Sequence, residues 1–170
     1  MGLFDKLTGT KHPADGVAPR SAAEVQAALF GLNRPDVPYV VRDGREEGAD
    51  LVAEWRVLDP AWQTFFIRTQ VDRLFQTRMR LVPGKHEVRS VDQQYEVTWA
   101  GGTPRLAISA EFQRGQVRTV SKSWTLGGSK DDDPKSTETF SFDSADLKNP
   151  LQETVLGMGW TWRGVVFGKL

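Results

Sequence analysis

The hydrophobic positions of this chain follow a helical period first, then a period of two. Leu3, Phe4 and Leu7 fall on one face of a short helical turn, with Asp5 and Lys6 off that face. Such a turn is an interfacial foot, a docking segment, or a patch on the protein's own core. Gly9 to Pro19 shows no periodicity and reads as a linker holding His12. Ser21-Ala22-Ala23-Glu24 is a capping box, because the Ser21 hydroxyl can accept the Glu24 amide while the Glu24 carboxylate reaches back. It predicts a helix over Ala22–Leu32 with Val25, Leu29 and Leu32 on its buried stripe, ended by Asn33 and Pro35. Tyr39-Val40-Val41 then reads as a short strand, Asp43-Gly44 as a turn, and Leu51–Leu58 as an alternating strand. Asp59-Pro60 supplies an N-cap and first helical position for a helix over 60–72, with Trp62, Phe65, Phe66 and Thr69 on one side.

From Leu74 the alternation is strict. Phe75, Thr77, Met79 and Leu81 interleave with Gln76, Arg78, Arg80 and Val82, and Pro83-Gly84 turns the chain. Glu87–Val91, Tyr95–Trp99 and Leu106–Phe112 continue extended, separated by Gly101-Gly102 and closed by Arg114-Gly115. Gln116–Leu126 has a broken phase that suggests a bulge, and Thr139–Asp143 is a last short strand. Ser144 caps a short turn, and Asn149-Pro150 opens a final helix striped by Leu151, Val155, Met158 and Trp162. Gly157 and Gly159 cost that helix about 1 kcal/mol each relative to alanine. They predict either close backbone packing or a helix end near Gly159. The apolar tail Trp160–Leu170 is expected to dock.

Short turns between successive strands build an antiparallel meander. The expected class is α+β: a curved antiparallel sheet or partly closed β-barrel of about six to eight strands. A C-terminal apolar helix and two further helices pack on it. This order resembles tubby-like and pleckstrin-like phosphoinositide-binding barrels in architecture alone, with no motif of either family present. Residues 1–20 form a flexible extension and 21–170 a single domain.

Composition removes more functions than it selects. The 170 residues carry 22 basic and 22 acidic side chains, so no basic excess points to nucleic acid. The absence of cysteine removes disulfides, thiolate nucleophiles and Cys-based metal sites, and two histidines cannot make a three-His centre. No apolar run reaches the roughly 20 residues of a membrane-spanning helix. Met1–Leu7 lacks the marks of an export leader, and Lys6 stands where a myristoylation motif needs Ser or Thr. The expected compartment is therefore the cytoplasm, with peripheral membrane attachment an open alternative.

The chemistry-bearing motifs are incomplete. No G-x-S-x-G elbow or phosphate-cradling Walker loop occurs, and Arg163 breaks the glycine pattern begun by Gly157-Met158-Gly159. Asp131-Asp132-Asp133 lacks a third calcium ligand because Lys135 stands there. His86 with Glu87 or Asp92, and Tyr95 nearby, is the one acid–base grouping that an enzyme would use. No metal or other cofactor is implied.

Charge is segregated more clearly. Arg68, Arg73, Arg78, Arg80, Lys85 and Arg89 face two acids, Asp72 and Glu87, within one stretch of chain. Arg78 and Arg80 share a strand face, Arg89 is expected to follow on the next strand, and Arg105, Arg118 and Lys122 extend the patch if their strands are neighbours. Arg78, Arg80, Arg89, Arg118 and Lys122 are the candidate ligand-binding residues. Such a face suits a small anionic ligand or an anionic lipid surface; it also suits a solvated face paired with Glu54, Glu96 and Glu111. Trp55, Trp62, Trp99 and Trp124 fall on inward positions, where they fill a core or line a hydrophobic cavity. The leading expectation is a non-enzymatic module binding an anionic or amphipathic ligand or a membrane surface. The alternative is a subunit that docks a protein partner or its own copy through the N-terminal helix.

Overall fold

The computed structural model describes residues 2–69, 73–108, 123–126, 138–141, 144–165 and 170. Helix α1 (Leu3–Thr8) and helix α2 (Ala22–Phe30) precede strands β1 (Tyr39–Asp43) and β2 (Leu51–Trp55). Helix α3 (Pro60–Thr69) leads to β3 (Arg73–Val82), β4 (Glu87–Ala100) and β5 (Thr103–Ile108). Strands β6 (Ser123–Leu126) and β7 (Glu138–Ser141) form a separate antiparallel ladder, followed by α4 (Ser144–Gly157) and β8 (Thr161–Gly164).

The main sheet runs β1-β2-β3-β4-β5 antiparallel, with β8 added in parallel beside β4. The fold is thus α+β, and the described strands do not close into a barrel. The meander follows from the alternation and the tight turns. Expected strands Glu87–Val91 and Tyr95–Trp99 are one continuous strand, β4, whose residues Glu87 to Glu96 pair with the whole of β3. Strand β8 was not expected. The segment Trp160–Leu170 docks as anticipated at Trp160 and Trp162, which are fully buried, but it does so by adding a strand.

Strand register sorts the side chains onto two faces. One face carries Val41, Leu51, Ala53, Trp55, Phe75, Met79, Val88 and Trp162, all buried in a single core with Val25 and Leu29 of α2 and Leu147, Leu151 and Val155 of α4. The spacing of Leu147, Leu151 and Val155 explains why α4 begins at Ser144 instead of at Asn149. Burial of one stripe along the longer helix outweighs the amide hydrogen that Pro150 cannot donate from the helix interior. The capping box at the start of α2 is present in both directions: Glu24 N donates to Ser21 Oγ (3.2 Å) and Ser21 N to Glu24 Oε2 (2.9 Å).

Within the first twenty residues, expected as a flexible extension, Lys11 and Arg20 are hydrogen-bonded to the segment Met158–Trp162. Lys11 N donates to Trp162 O (2.8 Å) and Trp162 N to Lys11 O (2.9 Å), while Arg20 N reaches Met158 O (2.9 Å). Gly159, at φ +76°, lets the chain turn against Ala18 and Pro19; a Cβ there would lie 2.7 Å from the Ala18 carbonyl oxygen. The helix end and the close backbone approach anticipated from Gly159 are both realised.

Candidate functional site

The second face of the sheet is polar where the first is apolar. Arg42 of β1, Glu54 of β2, Gln76 and Arg78 of β3 and Tyr95 of β4 share it by register. The turn joining β1 to β2 folds over this face. Gly44 N donates to Asp50 O, and Ala49 N to Gly44 O, both at 3.0 Å, which closes the turn and holds Glu47 above the strands. Gly44 has no room for a side chain, since a Cβ would sit 2.8 Å from Val52 Cγ2.

These groups border a cleft of about 350 Å³. Its polar side is Arg42, Glu47, Glu54, Gln76, Arg78 and Tyr95, and its apolar side includes Trp55, Leu58, Leu74 and Leu106. A smaller hollow of about 240 Å³ adjoins it, sharing Glu54, Trp55, Val57, Leu58 and Leu106. A cleft of this size and mixed lining is what small-molecule sites offer: apolar walls with a few convergent polar groups.

The two arginines of the cleft differ in how far their donors are used. Arg42 is saturated. Its Nε donates to Glu54 Oε1 (2.7 Å), its Nη2 to Glu54 Oε2 (3.1 Å), and Nη2 also meets Glu47 Oε1 (2.5 Å). The Glu54 hydrogen bond, with Glu47 behind it, raises the Arg42 pKa further above its ordinary value and keeps it charged. Arg78 is more deeply buried, with its side chain 12% exposed, and it is loosely held. Its Nη2 lies 3.5 Å from the Tyr95 hydroxyl and 3.6 Å from Glu47 Oε2. Its Nε has no hydrogen-bond partner among the described residues. Gln76 Nε2, 2.9 Å from the Tyr95 hydroxyl and 3.3 Å from Glu47, completes the polar end.

Of the five residues expected to bind a ligand, the three that are described differ in their surroundings. Arg78 lines the cleft. Arg80 and Arg89 are opposite each other in the register, and each has protein acceptors. Arg80 donates to Gly48 O (2.6 Å) and Leu170 O (2.8 Å), and Arg89 Nε to Glu87 Oε1 (2.8 Å). Arg118 and Lys122 lie outside the described residues, as does Asp131-Asp132-Asp133. Among the described residues no cluster of three metal-ligating side chains occurs.

The acid–base grouping suggested by His86 is not assembled. Glu87 and Asp92 sit on opposite faces of β4. Glu87, its side chain 4% exposed, accepts from Arg89 and from Arg163 Nε (2.7 Å). Burial pushes its carboxyl upward, but these donors and charges outweigh burial and hold it below the usual range. Asp92 is buried beneath α4, accepts the Thr77 hydroxyl (2.8 Å) and pairs with Lys148. His86 takes a left-handed conformation at φ +47°, its ring edge-on to Trp160 at 5.8 Å.

Residue spacing did not reveal Arg42, Glu47 or Gln76 as parts of one site. The available signal was the density of opposite charges between Arg42 and Asp59, with six acids and three arginines. Closing the β1–β2 hairpin on Asp43 and Asp50 brings Arg42 and Glu54 to the same face. Comparison with protein-family models, with curated proteins and with solved structures finds no match.

Proposed function

We propose that this protein is a non-enzymatic binding module for a small amphipathic anion, with a carboxylate-bearing apolar molecule as the ligand class. The observation that carries the reading is Arg78: a guanidinium lining a cleft of mixed polar and apolar walls, whose buried Nε has no hydrogen-bond partner among the described residues. A guanidinium has five N–H donors, and leaving one dry costs roughly 1–3 kcal/mol. Once the guanidinium turns toward the cleft, a ligand oxygen on Nε and Nη2 recovers that cost through a forked, charge-assisted pair. Leu58, Leu74 and Leu106 take the apolar body of the ligand. Glu54 and Glu47 hold Arg42 at short range, whereas Arg78 meets a carboxylate only at 3.6 Å, on Glu47, which makes Arg78 the more loosely paired donor to an incoming anion.

Calorimetric titration with octanoate and with octanol tests this. Octanoate binds the wild type, and octanol binds at least about tenfold more weakly, since a hydrogen bond to a charged group contributes about 1.5–3 kcal/mol. Arg78→Gln removes the preference, while Tyr95→Phe reduces it by a smaller factor. Equal binding of both probes, or an unchanged preference in Arg78→Gln of native circular dichroism, overturns the reading.

A further inference from the structure

Helix α1 presents an apolar face that the fold holds away from the core. Leu3, Phe4 and Leu7 are 77%, 70% and 51% exposed, and they lie within about 100° of arc on the helix surface. The opposite side of α1 is fastened. Thr8 is buried, its hydroxyl 2.7 Å from that of Thr10, and Thr10 Oγ1 in turn accepts Gly164 N of β8 at 3.1 Å. Asp5 faces His12, whose Nε2 is 2.9 Å from Asp5 Oδ2. Gly9, at φ +71°, ends the helix so that Lys11 can join Trp162 in its two-way bridge. A terminus free to bury three large apolar side chains on its own core is instead pinned with them outward.

We infer that α1 is an insertion foot for an anionic lipid surface. Charge and area select that occupant. Lys6 borders the apolar arc and is exposed, Lys11 just after the helix is exposed as well, and the acid of the helix, Asp5, is turned away toward His12. That order, apolar tip with flanking cations, matches acyl chains beneath anionic headgroups. A specific protein interface needs roughly 800 Å² from each partner. Three side chains of at most about 150–250 Å² each fall short of it. The foot is independent of the cleft, which lies on the sheet's polar face.

Co-sedimentation of the full chain with vesicles tests the inference. The probes are vesicles of phosphatidylcholine alone and vesicles holding about one-third phosphatidylserine. The wild type sediments with the anionic vesicles and at least tenfold less with the neutral ones. Phe4→Glu/Leu7→Glu abolishes sedimentation with the thermal midpoint unchanged, because both side chains are exposed. Lys6→Glu weakens it severalfold, and Arg78→Gln sediments like the wild type. Leu3→Ser, a milder change on the same face, gives an intermediate loss. Three results overturn the inference: no sedimentation of the wild type, equal sedimentation of the Phe4/Leu7 variant, or a dimer in free solution that this variant dissolves. The last result assigns the face to a second copy of the chain.

Discussion

At the scale of single residues, three positions carry consequences that can be measured. Glu87 joins the parallel edge of the sheet, receiving Arg89 from its own strand and Arg163 from β8. Its folded pKa is lowered, so its stabilisation is complete above the unfolded value near 4.3 and is lost as pH falls through the folded one. Glu87→Gln is expected to destabilise the fold by about 1–3 kcal/mol at neutral pH. It should also flatten the loss of stability between about pH 5 and pH 3. Urea unfolding across that range checks both, and an unchanged acid slope contradicts the assignment. Gly159 is constrained twice, by its positive φ and by the Ala18–Pro19 backbone beneath it. Gly159→Ala therefore costs more than the roughly 1 kcal/mol of an ordinary left-handed site, and a midpoint shift of under one degree speaks against the contact. The Gly159 constraint was legible in the sequence, because a second glycine at a helix end needs a reason. The Glu87 pairing was not, because Arg163 belongs to a strand that its sequence did not announce.

Among the elements, β1 is the outer strand of the sheet path, and its edge is partly closed by a side chain. Asn33, placed just past α2, donates Nδ2 to Val41 O at 2.8 Å and accepts Val41 N on Oδ1 at 2.7 Å. The amide copies the pairing of a neighbouring strand and leaves less of the edge open to another chain. Asn33→Ala opens these two backbone groups, with a cost of about 1–3 kcal/mol and a raised tendency to associate through β1. Equilibrium unfolding measures the first and sedimentation velocity the second; a variant as stable and as monodisperse as its parent refutes the role. Local spacing marks Asn33 as a helix stop, whereas α2 already ends at Phe30 with Gly31 as its cap, and long-range pairing of a side chain leaves no mark in local periodicity. The same limit explains the other differences. Alternation identified β2 and β3 and their buried faces, whereas β8 pairs parallel with a strand far away in sequence. Its four residues are too few to show a period. Asn149-Pro150 looked like a helix start because proline favours that position. The Leu147-Leu151-Val155 stripe shows what decides the case: burial of a whole helix face outweighs one missing amide hydrogen.

On the scale of the whole molecule, one sheet separates two environments. The face beneath α2 and α4 holds the core and the buried Asp92–Lys148 pair, and the other face carries the cleft and its arginines. The α+β class and the meander were readable because both follow from period and turn chemistry. An open sheet instead of a barrel was not, since closure depends on how strands pair at a distance. The grouping of basic residues between Arg68 and Arg89 is visible in the sequence, yet only the structure distinguishes Arg80 and Arg89, which have protein acceptors, from Arg78, whose buried Nε has none among the described residues. Arg78 at the cleft wall is therefore the centre of the functional account, and its Nε–H is a resonance that can be followed directly. The decisive measurement is a nitrogen-15 correlation spectrum of the arginine Nε–H groups during titration with octanoate, with octanol as the control. The account predicts that the Arg78 signal, identified by its absence in Arg78→Gln, moves progressively and saturates with octanoate while octanol leaves it in place. An Arg78 signal that stays fixed as octanoate binds, or that moves equally with octanol, contradicts a carboxylate seated on this guanidinium.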